Sequence, residues 1–357
     1  MRTLSALLGL CLAISGARAE SPSPVVVAAT ATASAASAAD TAAIRAAIQK
    51  GLVFLEKEGV QWHEEKGCLS CHHIPFMAWT HREAQRHGIP VDAKKLEQWI
   101  AWCGEWAEPK GGNDVLAELM LFLPKEIVPA GDPKKKLEAV PAKLAGFQKA
   151  DGSWTASGQF HAQQWPTTEA NEVTSMLMLQ ALNTSWGADA EKSKAAREKG
   201  LAWLKGTQKP SYEGTNSYTM RLLAGQRLGD AGQQDALCEA LISQQEADGG
   251  WSWKVALEGS DPIATGEVLF VLNATGRKDA AIAEAQRRAV ANLLKIQRED
   301  GAWFQTHKRI SKKMRKEEAP KVDGIYTYWS TAWATLGLLS TLPEAAVAEV
   351  TYKVATP

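Results

Sequence analysis

The chain has little cysteine, almost no strand signal and a single long apolar run, and each shortage closes off a class of protein. Five cysteines in 357 residues are too few to staple a fold of this size, so stability must rest on an apolar core. Basic and acidic residues number 40 each, which gives no case for nucleic-acid binding. The apolar run, Leu4 to Ile14, follows Arg2 and precedes Ala17-Arg-Ala19. It is too short to span a bilayer and has the layout of a secretory signal. The expectation is an exported, monomeric protein with no membrane span. Loss of Cys11, Arg2 and Arg18 with the signal leaves four cysteines and a slight acidic excess.

The expected organisation is a signal peptide over residues 1–19, a low-complexity linker over 20–39, a folded region over 40–343 and a tail over 344–357. The linker, SPSPVVVAATATASAASAAD, carries almost no charge and no large side chain to bury, the composition of a flexible tether.

What the folded region does have is self-similarity. Phe147-Gln-Lys-Ala-Asp-Gly-Ser-Trp154, Ser243-Gln-Gln-Glu-Ala-Asp-Gly-Gly-Trp251 and Ile296-Gln-Arg-Glu-Asp-Gly-Ala-Trp303 share Gln, a short spacer, Asp-Gly, one residue and Trp. Each stands between two helical apolar patterns. Asp-Gly makes a tight turn because glycine accepts positive φ and aspartate can hold the turn's amides. The glutamine can join neighbouring backbones, and the tryptophan can fill a wedge between hairpins while its indole N–H finds a partner. Related units without the full label start at Lys50, Trp99 and Lys199. The total is six helical hairpins, at about 41–88, 92–124, 137–183, 193–229, 234–276 and 285–342. One hairpin cannot bury its apolar face alone, so the hairpins must stack. Most of the 14 tryptophans are expected to be structural.

These repeats resemble the QW motifs of the squalene–hopene cyclase and prenyltransferase superfamily, from about residue 40 to 342. The resemblance implies an all-α fold, an α/α toroid (α6/α6 barrel) of six helical hairpins, with six inner helices around a central cavity and the QW turns leading into them. It marks fold better than function. The alkene-protonating Asp-x-Asp-Asp cluster of the cyclases is absent, as is Asp-Asp-x-x-Asp, and no two aspartates are adjacent. Cys238 has the wrong spacing from Asp235 for the prenyltransferase zinc pair. Trp102-Cys-Gly-Glu-Trp106 is similar to the thioester motif Cys-Gly-Glu-Gln, but Trp106 replaces the glutamine that bonds the sulfur. Cys103 then reads as a buried thiol or as a disulfide partner of Cys238. Acids at the starts of inner helices, Asp114, Glu169, Glu172, Asp261 and Glu267, are the candidate catalytic groups. Their alternative role is helix capping and first-turn charge compensation.

One stretch, Lys66-Gly-Cys-Leu-Ser-Cys-His-His-Ile-Pro75, replaces the QW turn of the first hairpin. Cys68-x-x-Cys71-His72 satisfies the c-type haem attachment pattern, which places two thiols on one face of a helical turn with a histidine beside them. His307, or else His161, His73 or Met77, is the expected sixth ligand, and the basic run Lys308–Lys316 is placed to pair with propionates. The same atoms, Cys68, Cys71, His72 and His73, also suit a zinc site, and the two cysteines alone suit a dithiol or disulfide. His63, His81 and His87 are expected at the surface. The expected function is therefore an exported toroid carrying covalent haem c, with an electron-transfer or haem-linked redox role and a redox partner or apolar small-molecule ligand. The alternatives are a non-haem toroid enzyme, either divergent terpenoid cyclase-like or a polysaccharide lyase, and a binding module without catalysis.

Overall fold

The computed structural model describes residues 38–66, 73–105, 113–123, 127–128, 131–157, 165–184, 191–207, 211–229, 231–306 and 312–345. Among them there are thirteen α-helices and no strand: α1 Ala38–Lys66, α2 Ile74–Arg86, α3 Ala93–Glu105, α4 Asn113–Phe122, α5 Asp132–Glu138, α6 Val140–Gly146, α7 Thr167–Leu182, α8 Glu191–Gly206, α9 Thr215–Leu228, α10 Gln234–Ser243, α11 Pro262–Ala274, α12 Ala280–Ile296 and α13 Lys312–Leu339. No described helix is long and apolar enough to cross a membrane.

The six expected hairpins are all present. Helices α2, α4, α7, α9, α11 and α13 pack side by side in that order, and α13 returns to α2, so they form a closed inner ring. The others flank it, and α12 meets α1 where the outer layer closes. Inner helices are buried nearly all round. From Pro262 to Leu269, α11 has no exposed residue, whereas α12 buries only a stripe including Ile282, Ala285, Ala289 and Leu293. A one-sided stripe is what an outer helix needs. Apolar residues on every side are what a helix enclosed by neighbours needs.

The three QW turns use one set of bonds. Gly152, Gly249 and Gly301 take φ of 93°, 92° and 90°, which an L side chain rarely adopts. Oδ1 of Asp151, Asp248 and Asp300 accepts from the amide two residues on. The indole N–H of Trp154, Trp251 and Trp303 donates to the carbonyl of Leu144, Leu241 and Leu293, ten residues back. Nε2 of Gln148, Gln245 and Gln297 donates to its own turn glycine and also to Ala196, Ala285 and Ala47 of the next outer helix. The last of these bonds closes the ring. A hydroxyl on the inner helix, from Ser175, Thr265 or Thr331, accepts from the tryptophan amide. Hairpin four has no such tryptophan in place, and there Arg221 donates instead to the Leu204 carbonyl.

Cys103 is the buried thiol expected and its alternative as a disulfide partner fails, while the expectation for two histidines is corrected. Cys103 and Cys238 are both free and buried, so no disulfide joins them, and burial pushes the Cys103 thiol well above its ordinary range. His81 and His87 are not surface residues. They are 3% and 8% exposed, because α2 is an inner helix with neighbours on every side. His81 donates Nδ1–H to the Met77 carbonyl at 2.8 Å and meets Trp99 edge-on. Burial lowers its pKa to about 4, against an opposing pull from the Met77 carbonyl.

Gly301→Ala is expected to be the costlier of a matched pair. A Cβ there would lie 2.3 Å from the Lys50 carbonyl oxygen, while Gly131, with φ of 105°, has open space. Gly131→Ala carries only backbone strain, about 1–2 kcal/mol, and urea unfolding should show Gly301→Ala losing at least about 2 kcal/mol more. His81 supplies a pH test. It stays neutral when folded but protonates below about pH 6.5 when unfolded, so its contribution is present above that pH and is lost as pH falls towards 4. Between pH 7 and 5 it should remove about 2 kcal/mol, a difference that unfolding curves of His81→Gln should no longer show.

Candidate functional site

The inner ring surrounds a narrow central cavity with about 30 Å³ of water-accessible space as its side chains stand. Six of its fourteen lining residues are aromatic: Phe76 and Trp79 on α2, Phe122 on α4, Trp165 before α7, and Trp329 and Trp333 on α13. Leu121, Leu177, Met220 and Leu223 complete the apolar wall. The rings brace one another. Trp79 stacks on Phe122 at 4.3 Å and meets Trp333 edge-on at 5.5 Å. Trp329 and Trp333 are one turn apart and so share a face. Their indole nitrogens are buried without a hydrogen-bond partner, a state that costs about 1–3 kcal/mol for each group left so. Behind them Gly266 sets the spacing, since a Cβ there would fall 2.4 Å from the Trp333 backbone.

Four polar residues interrupt the apolar wall: Glu118, Asn216, Arg227 and Glu267. Glu267 is 3% exposed. Its Oε2 accepts from Asn216 Nδ2 at 2.9 Å and from Thr219 Oγ1 at 3.4 Å. Two donors on one oxygen suit a carboxylate that accepts a proton rather than an acid that delivers one. The oxygen of the Asn216 amide, Oδ1, is buried with no partner. Arg227, in the last turn of α9, lines the cavity and has an exposed side chain. Burial pulls its pKa down from the ordinary arginine value, while the charge of Glu83 opposes this.

Of the five acids singled out from sequence, Glu267 alone lines this cavity. Asp261 caps α11, accepting from Ile263 N and Ala264 N, and takes Gln305 Nε2 on its other oxygen. Glu169 accepts from Glu213 N, Gly214 N and Ser217 Oγ, so it holds the start of α9. Glu172 is half-buried near Tyr212. Asp114 lies at the start of α4. Glu118, Asn216 and Arg227 were not singled out. The available signal was a lone charge within an apolar inner-helix run, as in Leu116-Ala-Glu-Leu-Met-Leu-Phe122.

A second and roomier depression, with about 560 Å³ of water-accessible space, opens beside the C-terminal end of α1. Phe54, Trp62, Phe304 and Tyr328 give it apolar faces, with Glu58, Glu65, Lys66 and Asp323 around them. His73 lies there, between Trp62 at 4.2 Å and Tyr328 at 4.1 Å. Met77 packs against Gly59 within the contact between α1 and α2. Cys68, Cys71, His72, His161 and His307 lie outside the described residues, as does the run 308–311; the side chains of 312–316 do too. Among the described residues no group of three or more His, Cys, Asp or Glu is arranged to hold a metal ion.

No family model and no curated protein matches the sequence. Two solved structures share its architecture. A type II terpene cyclase from Scytonema, in complex with its product merosterolic acid A, is 14% identical, with 85% of this chain and 99% of that one covered and a TM-score of 0.54. A possible member of the GH105 family from Salmonella enterica subsp. enterica serovar Paratyphi A is 13% identical, with 84% and 93% covered and a TM-score of 0.51. At such identities the likeness shows the fold, and the chain is an α/α toroid.

Proposed function

We propose that this toroid acts on an apolar, unsaturated small molecule held in its central cavity, with a site of the terpenoid-cyclase type. The observation that carries this is the lining: ten of fourteen residues are apolar and six of those are aromatic. Aromatic faces favour apolar bodies and also stabilise positive charge developing on them. A glycan site needs many hydrogen-bonding groups to match its hydroxyls, and only four polar side chains line this cavity. Glu267, with Asn216 and Thr219 donating to it, is the proton acceptor of this reading. Glu118 is the second proton-transfer group. The Asp-x-Asp-Asp cluster has no counterpart, so the chemistry differs from direct alkene protonation by such a cluster.

A second reading concerns the first hairpin. The Cys68-x-x-Cys71-His72 spacing favours covalent haem c, and the aromatic faces of Phe54, Trp62 and Tyr328 fit a flat macrocycle. Its thioethers would form at Cys68 and Cys71, with His72 on the iron, and the haem would supply one-electron chemistry. Export through the N-terminal signal belongs to this reading, because the haem is attached outside the cytoplasm.

Calorimetric titration with farnesol, a neutral polyprene, tests the cavity. Binding is expected, and Leu223→Trp, which fills the cavity, should weaken it at least tenfold with little change in Tm. An unsaturated uronate disaccharide should show neither binding nor turnover. Its hydrolysis, together with no farnesol binding, would sink the cyclase-type reading. For the haem, expression with a maturation system should give a Soret band and one added haem mass, both lost in Cys68→Ser; a colourless chain of unmodified mass excludes it.

A further inference from the structure

Glu267 and Arg227, two of the three charged residues lining the cavity, stand towards opposite ends of its axis. Asn216 and Arg227 both line it from α9. Eleven residues at about 1.5 Å per residue place them about 16 Å apart along the helix. Glu267 is bonded to Asn216 and so belongs to the end where α9 begins. Arg227 stands at the other end, in the last turn of α9.

The charges around Arg227 do not cancel. Both oxygens of Glu83 are taken by its own helix, Oε1 by Arg82 at 2.6 Å and Oε2 by Arg86 at 2.9 Å. Arg86 is also paired with Glu344 at 2.6 Å. Arg82 gives its other nitrogen to the Phe122 carbonyl. Three guanidinium groups therefore share two carboxylates, which leaves one positive charge in excess. Arg227 is the group left over. Among the described residues its one hydrogen bond is long and neutral, Nη1 to Gln180 Oε1 at 3.3 Å. Gln180 is itself 2% exposed and donates Nε2 to the Met176 carbonyl, so its orientation is fixed and its oxygen faces the arginine.

Arg227 is exposed where it lines the cavity and among the described residues it pairs with no carboxylate, so its guanidinium is open to a ligand's head group. Its fork of N–H donors matches a carboxylate in two parallel bonds. One excess positive charge balances one negative charge, which selects a carboxylate over a diphosphate. A carboxylate at the opposite end would meet Glu267 and be repelled. We infer that the cavity's ligand is an amphipathic monocarboxylic acid, with its head on Arg227 and its apolar body running between Trp79, Trp329 and Trp333 towards Glu267. This rests on the cavity reading above and names the ligand's class and direction.

Three ligands with one apolar body separate the possibilities: farnesol, farnesoic acid and farnesyl diphosphate, titrated by calorimetry at pH 7.5 and fixed salt. Farnesoic acid should bind at least tenfold more tightly than farnesol and than its own methyl ester, a difference of about 1.4 kcal/mol. Arg227→Met should remove that preference and keep the affinity for farnesol, which also shows that the variant is folded. Arg227→Lys should keep part of it, as a point charge without the fork. Should the variants fail to fold, the comparison of acid with methyl ester on the unaltered protein decides alone. Equal binding of acid, ester and alcohol would overturn the head-group inference and leave the cavity reading standing. Tighter binding of the diphosphate would overturn the choice of a single negative charge. Binding of none of the three would remove the cavity reading and this inference with it.

Discussion

An inner helix buried on nearly every side is stable only if neighbours enclose it on every side, and six such helices satisfy one another only as a closed ring. Everything else here depends on that closure. The QW turn performs it with one side chain acting in two directions. The glutamine amide shapes its own turn and takes a backbone carbonyl of the next outer helix, while the tryptophan reaches back to the hairpin it came from. The turn glycine lies so close to the neighbouring helix's carbonyl that no side chain fits between them. Each of these three seams is therefore a backbone-to-backbone contact bridged by an amide, and the geometry leaves little freedom in how the two hairpins there are set.

The cavity is the space that such a ring cannot fill. Its aromatic lining differs from the QW tryptophans in the fate of the indole nitrogen. Trp154, Trp251 and Trp303 are fully buried and bonded, whereas Trp329 and Trp333 are buried and left without a partner. The first group holds hairpins together. The second walls a space, and a space with apolar faces, a hydrogen-bonded glutamate and an arginine has the composition of a ligand site rather than of a packing defect.

Much of the fold was legible from sequence, and for definite reasons. A Gln, an Asp-Gly and a Trp at fixed spacing each have one local task, and the structure shows each performing it; hairpins one, two and four, with no complete label, were legible from their partial likeness to it at Lys50, Trp99 and Lys199. In hairpin four the label's work passes to Arg221, which no spacing rule would have found. The site was less legible. Acids at helix starts were natural candidates, and Asp261 and Glu169 proved to be backbone anchors because a helix start offers free N–H groups to any nearby carboxylate. Which way a residue on a fully buried helix faces, outward to the hairpin or inward to the axis, is not written in a pattern that is apolar all round. Glu118 and Arg227 needed the ring itself to be placed, and His81 and His87, polar residues expected at the surface, were buried for the same reason.

The bond from Gln297 to the Ala47 carbonyl joins the last outer helix to the first with the same atoms that join hairpins in mid-chain. At that seam the covalent chain contributes nothing, and the contact is no different. The order in which the chain visits the hairpins is thus separable from the shape they make. A circular permutant, with α13 linked to α1 and the chain opened at another seam, has the same set of contacts available to it, and the place where the backbone begins is an accident of the gene and not a requirement of the toroid.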